Sequence, residues 1–171
     1  LTRLVGSEMC IRDRSNIWRT KLSADIWQLF INWEEQVMAR WPNAKFSDDT
    51  IWDNDNYWAK GTIDDDENAY TNGTIIDDPY TNSSGTTIDL NATGFDLDET
   101  NKQAIAILNL GSFKTWSRLV TSHSGNTFNY ATVPTWKTKH HYYYLEGRKE
   151  FLDQEGEWWY DTYNNADSLY Y

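Results

Sequence analysis

Among the carboxylates of the last thirty-odd residues, Glu146, Asp153, Glu155 and Glu157 stand close in sequence. Glycoside hydrolysis is the chemistry such a set could do, because it needs two carboxyl groups about 5 to 10 Å apart across one bond. A structural role competes with it. Asp153 and Glu157 flank a turn at Gln154-Glu155-Gly156, where carboxylates cap backbone N–H groups, and this reading is preferred. No residue is assigned a catalytic role. A second acidic set, Asp64-Asp65-Asp66-Glu67 with Asp53 and Asp55, raises calcium, since hard cations collect several oxygen ligands. It lacks the D-x-[DN]-x-[DN]-G loop and reads first as a solvated acidic loop. No metal ligand and no cofactor is assigned, and calcium stays as the one ion to keep in view. His123 and the pair His140-His141 match no metal spacing.

The ten tryptophans divide by context. Trp27, Trp41, Trp116, Trp158 and Trp159 stand in apolar strand-like runs and are expected in the core, each indole N–H with a partner. Trp52 and Trp58 stand in an acidic, turn-rich stretch and are expected to be exposed. Exposed indoles stack on the apolar faces of sugar rings, so Trp52 and Trp58 are the candidate substrate-binding residues; half-buried loop anchors are the plainer alternative.

The elements that must carry these side chains read as β. Hydrophobic residues make up 39% and aromatics 16% of 171 residues, enough to exclude a disordered chain. Ile26–Ile31 (IWQLFI) and Gln36–Trp41 (QVMARW) read as strands of a hairpin that Pro42-Asn43 ends. Trp33 resists the positive φ of a two-residue type I′ turn, so a longer connection is expected there. Ile88–Ala92 is a strand candidate. Ala104–Leu110 (AIAILNL) is a continuous apolar run, as in a strand covered on both faces. Thr115–Ser122 and Thr127–Thr132 flank a turn, and Phe95–Asn101 could form one helical turn. A short helix is expected near Leu145–Leu152. Glu157–Tyr160 and Ser168–Tyr171 pair as an aromatic hairpin across a polar loop.

The net charge of −11 argues against a nucleic-acid partner, which needs clustered Lys and Arg. No apolar run approaches the roughly 20 residues of a membrane helix. The lone Cys10 excludes a disulfide framework. Residues 1–14 (LTRLVGSEMCIRDR) resemble a translated sequencing adapter of the kind found at the ends of metagenomic reading frames. They are set aside as a non-native segment.

Three blocks carry a wider resemblance: IWQLFINWEEQVMARWPNA (Ile26–Ala44), AILNLGSFKTW (Ala106–Trp116) and YYLEGRKEFLDQEGEWWYD (Tyr143–Asp161). With RWPN (Arg40–Asn43) and the pattern running from Leu145 to Tyr171, they look like the N-terminal region of secreted bacterial right-handed parallel β-helix proteins. These include glycoside hydrolases and polysaccharide lyases. The resemblance implies a mainly β fold for residues 15–171. It would be an antiparallel sandwich- or barrel-like subdomain with one or two short helices, preceding β-helix coils that lie beyond Tyr171. It implies an extracellular or cell-surface location, polysaccharide and the downstream coils as partners, and an accessory, capping function without activity of its own. The alternative is a non-catalytic polysaccharide-binding or adhesion module.

Overall fold

The structure is a computed structural model that describes residues 11–12, 17–61, 73–111, 114–134, 141–161 and 167–171. Its fold is mainly β. A six-stranded sheet runs in the order β1 (Ile11–Arg12), β2 (Trp18–Lys21), β15 (Ser168–Tyr170), β14 (Glu157–Asp161), β4 (Glu34–Met38) and β3 (Leu29–Ile31). A seven-stranded sheet follows the path β5 (Arg40–Trp41), β13 (Tyr142–Glu146), β10 (Ile105–Gly111), β11 (Lys114–Ser124), β12 (Thr127–Tyr130) and β7 (Thr74–Ile76). Its seventh strand, β6 (Ala59–Lys60), also pairs with β13. β8 (Tyr80–Thr81) and β9 (Thr87–Ile88) make a separate ribbon.

Period-2 patterning explains the inner sheet. In β10 the side chains of Ala106, Leu108 and Leu110 are wholly buried, while Ile105, Ile107 and Asn109 are half-buried on the other face. Cross-strand partners extend the buried face through Leu145 and Tyr143 of β13. Val120, Phe128 and Ile75 continue it, and Leu97, Phe151 and Trp159 belong to the same core. A second, smaller core joins Leu29, Trp158 and Leu169, with Leu22, Ile26 and Met38 packed against it. Trp158 and Trp159, adjacent in β14, thus serve different cores from opposite faces of one strand.

The two large sheets are stitched by one stretch of chain. β4 belongs to the first sheet and β5 to the second, with the fully buried Ala39 between them donating its N–H to the Trp158 carbonyl at 2.7 Å. β4 runs parallel to β14, pairing Val37 with Glu157. This one pairing departs from the antiparallel arrangement expected from sequence: these strands are far apart in the chain, so no tight turn dictates their direction.

Several local expectations are corrected as well. Strand β3 begins only at Leu29, and Trp27, expected in the core, is 87% exposed. The β3–β4 connection is the two-residue turn Asn32-Trp33 after all, with φ of 51° and 74°. Beyond Ile88 the chain enters a short helix, α2 (Leu90–Thr93), rather than extending as a strand. The Asp89 side chain accepts from the Ala92 N–H at its start, and Gly94 at φ 70° ends it. Phe95–Asn101 contains no helix. The helix expected near Leu145–Leu152 shrinks to a 3₁₀ turn at Lys149–Phe151, because Leu145 and Glu146 remain in β13 and Gly147 turns at φ 85°. The Glu157–Tyr160 and Ser168–Tyr171 hairpin stands as expected, as β14 and β15. Of the segment set aside at the N-terminus, Ile11–Arg12 pair with Trp18–Arg19, and the rest lies outside the described residues.

Candidate functional site

Three local structures meet around an open groove of about 540 Å³. The β3–β4 turn and the start of β4 supply Glu34 and Gln36, the stretch after Pro42 supplies Lys45 and Phe46, and the turn before β14 supplies Glu155, with Tyr171 completing the lining. The Lys45 stretch is held by Thr50, whose hydroxyl accepts from the Lys45 N–H at 2.8 Å. The Glu155 turn is held by Glu157, whose Oε2 accepts from the backbone N–H groups of Asp153 and Gln154, both at 3.1 Å. Burial, then the carboxylates of Glu155 and Glu34, raise the Tyr171 hydroxyl above its ordinary value. Two acidic side chains from separate elements therefore act on one phenol.

Trp52 is not itself a lining residue but stands against one, Phe46. It is 71% exposed, and its ring meets Phe46 edge-on at 6.1 Å between centroids. Trp33 lies between the lining residues Asn32 and Glu34 and is 84% exposed. Aromatic faces with acceptor oxygens and an amide beside them can stack against a sugar ring and accept from its hydroxyls.

The second candidate behaves differently. Trp58 is only 9% exposed, which corrects the expectation of an exposed platform. Its ring meets Tyr144 edge-on at 4.7 Å and lies beside the Arg40 guanidinium, 5.7 Å away. Its indole N–H is buried with no hydrogen-bond partner among the described residues. The acidic sequence context suggested exposure; strand β6, pairing through Ala59 next door, carries the indole inward instead.

Arg40 is the element that sequence reasoning missed. It is 2% exposed, with its Nε donating to the Pro42 carbonyl at 2.9 Å and Nη2 to the Tyr57 carbonyl at 3.1 Å. Burial lowers its pKa to about 10, against the opposing pull of Tyr144, Glu146 and Glu157. One arginine between apolar strands carries no sequence signal that separates it from a surface residue.

The four predicted carboxylates part company. Glu155 lines the groove. Glu146 is half-buried on the outer face of β13, opposite Arg40. Asp153 accepts from the Asn43 amide at 2.8 Å, and Glu157 is the buried cap described above. The two histidine sites divide: the His123 ring lies 2.9 Å from the Gly125 carbonyl, and His140 lies outside the described residues. Asp53 caps helix α1 (Asn54–Tyr57), and Asp55 accepts from the Tyr142 hydroxyl. Asp64–Glu67 lie outside the described residues; among the described ones no three His, Cys, Asp or Glu converge as a metal site. No described helix is long and apolar enough to cross a membrane.

Compared with known proteins, the chain matches no family model, no curated protein and no solved structure. The likeness to β-helix proteins thus rests on the sequence blocks alone.

Proposed function

We propose that this chain is a polysaccharide-facing accessory region of a secreted carbohydrate-active β-helix protein, with the groove beside Trp52 as its glycan contact. The observation that carries the reading is the exposed Trp52 indole meeting edge-on the ring of Phe46, which lines a groove together with carboxylates and amides. Trp33 adds to it. A bulky residue held at φ 74° costs about 1–2 kcal/mol relative to a conformation it prefers, and such strain is retained where the side chain has a task. In this role the sheets hold the groove, and the reaction itself belongs to coils beyond Tyr171.

A second reading, a non-catalytic binding or adhesion module, draws support from two further exposed aromatics, Phe30 on the edge strand β3 and Trp27 just before it. Both readings require glycan contact at Trp52. Intrinsic tryptophan fluorescence of the full chain, titrated with soluble neutral oligosaccharides of several linkages, tests it. Binding that weakens about tenfold or more in Trp52→Ala supports the contact. A wild-type chain that binds none of the panel at millimolar concentration, or a Trp52→Ala chain that binds equally well, removes it.

A further inference from the structure

Glu157 is 1% exposed at the start of β14, and its two oxygens fare differently. Oε2 accepts from the N–H groups of Asp153 and Gln154, whereas Oε1 is buried with no hydrogen-bond partner among the described residues. The turn it caps continues into Glu155 and Gly156 of the groove lining, and the Gly156 carbonyl accepts from the Val37 N–H of β4 at 3.2 Å. One buried carboxyl therefore shapes the turn whose Gly156 carbonyl ties this wall of the groove to β4.

The charges around it do not neutralise it. Asp153, on the same turn, opposes its ionisation. Arg40 on β5 is the cation that acts on it, but that guanidinium is committed to two carbonyls, and no described carboxylate lies within ion-pair distance of it. Glu146 on β13 draws on the same arginine. The Arg40 backbone N–H favours the ionised form without bonding Oε1. A buried hydroxyl left unpaired is far cheaper than a buried ionised oxygen left unpaired.

We propose that Glu157 is a pH-sensitive latch on the groove wall: neutral, it holds the 153–156 turn against β4, and ionised, it releases the turn so that water reaches Oε1. Burial pushes this carboxyl up to about 7, against the opposing effect of its two N–H donors, which sets the release near neutrality. The latch concerns the wall itself and stands whatever the groove binds.

Amide hydrogen exchange on the full chain, corrected for the intrinsic pH dependence of exchange, reads it directly. From pH 6 to pH 8, protection at Asp153 and Gln154 falls about tenfold in the wild type, since one pH unit above the midpoint leaves the ionised form in about tenfold excess. Protection at Ala106 and Leu108 stays. In Glu157→Gln the pH 6 protection persists at pH 8. Constant protection in the wild type, or an equal fall in Glu157→Gln, overturns the latch. Should that variant fail to fold, carboxyl ¹³C titration of wild-type Glu157 decides alone: a midpoint near 7 supports the latch, and one in the ordinary glutamate range overturns it.

Discussion

The Arg40 guanidinium carbon lies 3.8 Å from the centroid of the Tyr144 ring, inside a protein that leaves this arginine 2% exposed. The stack is a desolvated cation–π contact, worth on the order of 2 kcal/mol, and the two carbonyls accepting from Nε and Nη2 add charge-assisted hydrogen bonds. Arg40 also sits where the chain passes from one sheet to the other, so its anchorage is felt by both.

Arg40→Ala is expected to lower unfolding free energy by about 3–5 kcal/mol, combining the lost stack with two orphaned carbonyls. Arg40→Lys should recover less than half of that, because an ammonium cannot reproduce the planar fork. Urea unfolding of both variants checks this, and a loss under about 1 kcal/mol in Arg40→Ala would mean that the stack is energetically idle.

Trp58 presents the reverse case, a large ring with an unsatisfied N–H. Removing that donor relieves a desolvation penalty and partly offsets the smaller ring, so Trp58→Phe should cost less than about 1.5 kcal/mol. Trp58→Ala should cost about 3–5 kcal/mol through the cavity it leaves. Equal losses in the two variants would show that the indole N–H finds a partner in solution.

Trp33 occupies a position of the type I′ turn where glycine is favoured. Trp33→Gly is expected to stabilise the fold by about 1 kcal/mol in thermal or urea unfolding. The same variant should weaken glycan binding if the indole is held there for contact. A destabilised Trp33→Gly would instead assign the indole to packing.

The pH dependence of global stability has a definite sign. Burial raises the carboxyls of Asp77, Glu146 and Glu157, the last to about 7. Each therefore holds its proton more tightly folded than unfolded. The stability they contribute is complete below the ordinary carboxylate range and is lost as pH climbs through the raised values. Glu99 and Glu150 are shifted the other way by Lys102 and Arg148, but as solvent-screened surface groups they weigh little. The urea midpoint should thus be higher at pH 5 than at pH 8, and the opposite order would contradict these buried environments.

How far the sequence alone reaches can be judged residue by residue. The strand in Ala104–Leu110, the turn at Gly125-Asn126 and the hairpin of Glu157–Tyr160 with Ser168–Tyr171 were legible, because apolar runs and turn residues act over neighbouring positions; that one face of the first strand is wholly buried and the other half-buried was not. Trp52 was legible as exposed for a similar reason, its acidic surroundings keeping water close. The groove was only half legible: Glu155 and Trp52 could be picked out, but nothing local says that Glu34, Phe46 and Tyr171 share one lining. Tertiary structure alone decided the parallel pairing of β4 with β14, the burial of Trp58, the exposure of Trp27 and the enclosure of Arg40 and Glu157. Each of these depends on elements far apart in the chain. Burial belongs to the packed whole, and a side chain's own neighbours in sequence do not specify which distant surface will close over it.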